Sequence, residues 1–166
     1  NYPNNSEPYE LRLGTDFVCR GLTGSGDFEA EMAFVGFGIQ TDYYNDYKDI
    51  DVSGKVVIAF RQSPLWNLEG GNWGDISPRG KARVAKENGA KTIVFINVPN
   101  EIPSRELIGS TACGAPPHLY DFPMLQITKE IANSIFISSN ASVDGLYNAI
   151  YTNRIPNSFS LNSKIW

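Results

Sequence analysis

Two runs of apolar, largely β-branched residues, VVIAF at 56–60 and TIVFI at 92–96, enclose a segment with clear helix ends. This arrangement narrows the folds open to the chain more than any other feature. A run with no polar alternation has no face to offer water, so each is expected to be a strand buried on both sides. Between them Ser77 reads as an N-cap, Pro78 as the first helical residue and Gly89 as the residue just past the last turn. The inward stripe is small, Ala82 and Ala85 with Val84 beside them, which lets the helix lie close against a sheet. Strand, helix and strand in this order predict a right-handed parallel crossover, because only a long connection can return the chain parallel to itself.

The flanking sequence adds further elements. Residues 17–22 and 30–35 are strand-like and are separated by Gly24, Ser25, Gly26 and Asp27, which predicts a hairpin. Gly36 and Gly38 predict a bend. Residues 42–51, with four Asp and three Tyr, have no helical or strand period and read as a solvated acidic surface turn. Residues 124–127 form a short strand, after which Thr128 caps a helix with Ile131, Ala132, Ile135 and Phe136 on one side. Ser142 caps another with Val143, Leu146 and Ile150 inward, ending before Pro156. Phe159, Leu161 and Ile165 alternate along a half-buried strand expected to run through Trp166. A polar lead-in over residues 1–16 and one domain over 17–166 follow from this pass, and 166 residues suit one full-sized core.

Charge and length exclude some functions. A net charge of −4 without a basic stripe argues against a nucleic-acid partner. The longest apolar runs, such as residues 92–98, are too short to insert in a membrane. The chain starts at Asn1 with no signal pattern, so it reads as a mature product or an excised piece. Its Asn, Ser and Tyr content suits a secreted protein, and Asn4-Asn5-Ser6 and Asn140-Ala141-Ser142 fit the N-glycosylation pattern. Cys19 and Cys113 are either a disulfide or two thiols, and the sequence leaves both readings open.

The residues offer little chemistry. His118 is the one histidine and has no second to join it as a metal ligand, so it reads as a loop residue. Cys113, His118 and Asp121 lie in one loop, whereas catalytic triads assemble from separate elements, so a small hydrolase is the weakest reading. The stretch from Asp49 to Gly54 imitates the first half of a calcium loop, but Phe60 stands where a bidentate Glu is needed. No catalytic, cofactor-binding or metal residue is assigned. The candidates for partner contact are Tyr43, Tyr44, Tyr47, Trp66 and Trp73, aromatic residues on segments read as loops. Each of them taken alone reads first as packing a loop onto the core, and some of the set are expected to form a contact surface.

Residues 34–39, FVGFGI, then Asp46-Tyr47 and residues 50–57, IDVSGKVV, resemble the "VGFGI … DY … IDVxGKVV" block of the protease-associated domain family, of the type inserted in zinc-dependent aminopeptidases and their glutamate-carboxypeptidase-like relatives. Lys81-Ala82, Ala85 and NGAK at 88–91 are similar to its helix and turn, FPMLQIT at 122–128 to its strand and cap, and PNSFSL at 156–161 to its closing strand. The resemblance implies a β-rich α/β domain, an open barrel or sandwich flanked by two to three helices. It also implies a non-catalytic role in substrate access, peptide or protein binding, or packing against an adjacent peptidase domain. Zinc is expected only in a catalytic domain outside this chain, and the protein is expected to be secreted, periplasmic or on the cell surface. A stand-alone or receptor-type binding module, or an insert of a serine peptidase, is the competing reading.

Overall fold

The computed structural model describes residues 9–99, 106–109 and 119–165. The readings placed on Asn4-Asn5-Ser6, Cys113, His118 and Trp166 lie outside these residues.

The element order is β1 (Phe17–Cys19), β2 (Ala30–Val35), β3 (Val56–Phe60), α1 (Pro78–Glu87), β4 (Thr92–Ile96), β5 (Met124–Ile127), α2 (Lys129–Phe136), a 3-10 turn (Ile137–Ser139), α3 (Val143–Asn153) and β6 (Ser158–Ile165). The strands form one six-stranded sheet in the order β1-β5-β4-β3-β2-β6. Its four inner strands run parallel and the two outer strands antiparallel to their neighbours. The sheet is open and mixed and three helices flank it, the β-rich α/β architecture expected, without closing into a barrel. The reason is visible in the packing: helices cover both faces, and no second sheet is needed to bury them.

Alternate residues of the strands feed two cores. Phe34, Val56, Ile58, Phe60, Val94 and Ile96 face α2 and α3, with Phe136, Leu146 and Ile150 opposite them. Ala33, Val35, Val57, Ala59, Ile93 and Phe95 face α1 through Ala82 and Ala85. This double burial is why β3 and β4 carry no polar residue except Thr92, whose hydroxyl donates to the Pro123 carbonyl.

The predicted ends of α1 are present. Ser77 Oγ accepts the Gly80 N–H at 3.1 Å, Pro78 occupies the first turn and Gly89 adopts φ +83°. We expect Ser77→Ala to cost about 1 kcal/mol in urea denaturation, the usual loss for an N-cap hydroxyl, with an unchanged denaturant slope. The caps Thr128 and Ser142 likewise accept from Ile131 and Gly145.

The hairpin expected between residues 17–22 and 30–35 does not form: β1 pairs with β5 and β2 with β3 and β6. After β1 the chain continues along the entry to β5, where the Arg20 N–H donates to Met124 and the Gly24 N–H to Phe122. A Cβ at Gly24 would collide with the backbone of Leu119, Tyr120 and Phe122. Glycine is there for close approach of two backbones, not for a hairpin turn.

Candidate aromatic contact surface

Two loops follow the carboxyl ends of neighbouring parallel strands, residues 36–55 after β2 and 61–77 after β3. A buried polar cluster anchors both. Asp46 Oδ2 accepts the N–H groups of Phe37 at 3.1 Å and Ile39 at 3.0 Å, which fixes the Gly36–Gly38 bend, where both glycines have positive φ. A Cβ on Gly36 would strike Asp46 Oδ1. Across the cluster Lys81, on the small-residue stripe of α1, donates to the carbonyls of Phe60 at 2.7 Å, Arg61 at 3.2 Å and Gln62 at 2.6 Å. Three acceptors match the three protons of an ammonium group, and the Phe37 ring lies 5.7 Å away. Residues 42–51 are therefore not a wholly solvated acidic turn, since Asp46 is 1% exposed, as is Lys81.

Burial dominates the titration of this pair. It pushes Asp46 up to about 7, opposed by the Ile39 N–H, Tyr44, Lys81 and the Phe37 N–H. It pushes Lys81 down, opposed by Asp46 and reinforced by Arg61. The Tyr44 and Tyr47 hydroxyls are raised, first by burial and then by Asp46. Tyr44 is near enough to Asp46 to ease its charge, yet the geometry falls short of a hydrogen bond. Asp46 Oδ1 and both tyrosine hydroxyls are buried without a partner among the described residues.

From this anchor the five candidate aromatics part company. Thr41 Oγ1 accepts the N–H groups of Tyr43 and Tyr44, and Asn45 Oδ1 that of Tyr47, so the turn is held residue by residue. Tyr44 and Tyr47 point inward and are buried, whereas Tyr43 is 61% exposed. Tyr44 meets Trp73 at 5.1 Å and Trp66 at 6.4 Å between ring centroids, both edge-on. Trp66 and Trp73 are half-buried, 5.5 Å apart, and the Trp73 Nε1–H donates to the Trp66 carbonyl at 3.1 Å. Tyr43 lies against the Gly70-Gly71 part of the same loop. A Cβ on Gly70 or Gly71 would come within 2.8 and 2.5 Å of its ring, so only glycine lets the ring lie on that backbone.

The sequence reading missed the remaining members. Tyr151 of α3 lies 5.9 Å from Trp66 and stacks on Tyr147 at 5.6 Å with the rings 22° apart. Leu65 is 78% exposed, Tyr151 46% and Ile155 59%. The ring contacts join Trp66 and Trp73 to Tyr151, Tyr43 lies on the same loop, and Leu65 and Ile155 adjoin Trp66 and the end of α3, respectively, in the chain; we term these apolar side chains the aromatic strip. The available signal was Tyr147 and Tyr151 at helical spacing beside Leu146 and Ile150, at the edge of the inward stripe. A cluster of large apolar side chains at the surface of a folded domain is characteristic of contact sites.

Other parts of the molecule are plainer. Two shallow depressions, one around Glu29, Lys55 and Lys164 and one around Phe28, Lys86 and Asp121, lie apart from the strip. Among the described residues no three His, Cys, Asp or Glu side chains gather about one metal position, and no helix is long and apolar enough to cross a membrane. Asp51, from the apparent half calcium loop, accepts the Ser53 N–H in the turn entering β3. Cys19 is exposed at the end of β1.

A family model described as "PA domain" matches residues 25–135, most of the chain. Comparisons with curated proteins and with solved structures find no match.

Proposed function

Because the chain belongs to the protease-associated (PA) domain family, we propose that it is the non-catalytic module of a secreted zinc aminopeptidase-like protein, presenting its aromatic strip to peptide or protein. The observation that carries this reading is the contrast within one loop pair. Asp46 and Lys81 hold the loop bases in a buried lattice of hydrogen bonds, while Tyr43 and Leu65 of those loops are exposed, with Tyr151 of α3 against Trp66. Rings held in place offer large contact area at little entropic cost on binding. The motif wording at residues 34–39 and 50–57 favours the zinc peptidases as parent. Zinc then belongs to the catalytic domain of the parent, and no residue of this chain is assigned to it.

Two measurements test the reading. The coding sequence beyond Trp166 is expected to specify a peptidase domain with a His, Asp, Glu-Glu, Asp or Glu, and His ligand set; a sorting or transmembrane segment there instead would establish the receptor-type alternative. In the whole protein, the pair Leu65→Ser and Tyr151→Ser is expected to raise KM for a long peptide about tenfold, the effect of losing one to two contact side chains. Hydrolysis of an aminoacyl anilide should stay unchanged. Equal effects on both substrates would defeat the assignment of this strip to peptide contact.

A further inference from the structure

The strip is not electrically neutral along its length. Asp42 precedes Tyr43, and Glu69 precedes the Gly70-Gly71 backbone on which the Tyr43 ring lies, so an acidic residue adjoins each partner of that contact in the chain. Both residues are exposed, and neither carboxylate has a hydrogen bond or ion pair among the described residues. By contrast Asp75, further along the same loop, is engaged by Ser77 and Arg83. With one face against glycine backbone, Tyr43 offers its other face to solvent. An electron-rich ring face with an uncommitted acidic residue on each adjoining segment is suited to a cation, and the same loop carries Leu65 and Trp66, the latter against Tyr151, as apolar side chains.

Resting on the reading of the strip as a peptide-contact surface, we propose that it selects an extended peptide segment in which a Lys or Arg side chain stands beside an apolar one. The basic head is received over Tyr43 between Asp42 and Glu69. The apolar neighbour lies against Leu65, Trp66 and Tyr151. Arg gains most, since its flat guanidinium can stack on the ring and donate to both carboxylates at once.

The test is selection of displayed random peptides, about eight residues long as suits an extended segment, on the immobilised protein. Binding of one selected peptide is then measured by titration calorimetry. Expected is enrichment of Arg or Lys next to Leu, Phe, Tyr or Trp, with affinity falling about tenfold when the basic residue is replaced by Glu, the combined loss of a cation–π contact and an exposed ion pair. The double variant Asp42→Asn, Glu69→Gln should reproduce that loss, and both effects should shrink in high salt. These substitutions are exposed and isosteric, so folding is not at issue; an unchanged thermal transition checks it. Selected peptides that bind through the strip without a basic residue would overturn the charge selection and leave the contact surface standing. A selection with no enrichment, or binding unaffected by Leu65→Ser and Tyr151→Ser, would overturn the contact surface itself. Self-association at tens of micromolar protein that is lost on Leu65→Asp would assign the strip to a second copy of the chain and also overturn the proposal.

Discussion

Phe34→Ala is expected to destabilise the protein by about 4 kcal/mol, within the range for truncating a buried Phe. The ring is fully enclosed and touches three others: Phe60 at 5.5 Å, Phe136 at 5.5 Å and Phe159 at 5.8 Å, the first two edge-on. These partners come from β3, α2 and β6, so one side chain joins the sheet centre, the adjacent edge strand and a covering helix. The cavity left by alanine is walled by strands on one side and a capped helix on the other, and it has little freedom to collapse. Since domains of this size are stable by only about 5–15 kcal/mol, the variant should sit near the limit of folding. Urea denaturation of Phe34→Ala against Phe34→Leu checks this: a loss of less than about 2 kcal/mol for the alanine would mean that the three rings close the gap.

Lys81→Met is the second large effect and differs in kind. Methionine fills the channel but donates nothing, so the carbonyls of Phe60, Arg61 and Gln62 lose the Lys81 ammonium and Asp46 loses a nearby cation. Losing a hydrogen bond made by a charged group typically costs about 1.5–3 kcal/mol, and three are lost here. The pH dependence identifies the cause. Asp46 is raised in the folded state from 3.8 to about 7, so the stability associated with its protonated form is present at low pH and is lost as pH rises through that value. Lys81 is depressed, so its contribution runs the other way and is lost as pH falls. In the wild type the two trends oppose each other; in Lys81→Met only the first survives, strengthened by the loss of the nearby cation. The destabilisation by Lys81→Met should therefore be larger at about pH 8 than at about pH 5. An equal or reversed difference would show that the two groups are not coupled.

These two residues also mark what could be read from the sequence. Phe34 stands in an apolar run whose burial follows from periodicity, and the β3-α1-β4 unit with its Ser77, Pro78 and Gly89 punctuation is present as expected. The pairing of β1 was not legible, because glycine written for close backbone contact at Gly24 looks the same as glycine written for a turn. Lys81 and Asp46 were not legible either, since buried charge is the exception to hydrophobic patterning and depends on partners 7 to 21 residues away that only the fold brings together. A lysine between Gly80 and Ala82 on the small-residue face of α1 was the one local hint. For the surface strip, Tyr43, Trp66 and Trp73 were named from their segments. Which neighbour of the Tyr43-Tyr44 pair faces outward depends on the Thr41 turn, and Tyr151 is added only when α3 folds against the tryptophan loop.

The strand order carries a consequence for how the module is held. β1 and β6, the first and last strands in the chain, form opposite margins of the sheet, five strand spacings apart, or about 24 Å. Polypeptide flanking the sheet thus meets it at two separated borders instead of at one stalk. A body attached at both margins restrains rotation about either one. The aromatic strip would then keep a fixed bearing toward whatever the flanking polypeptide carries, much as a plate bolted at two edges cannot swing as a door does.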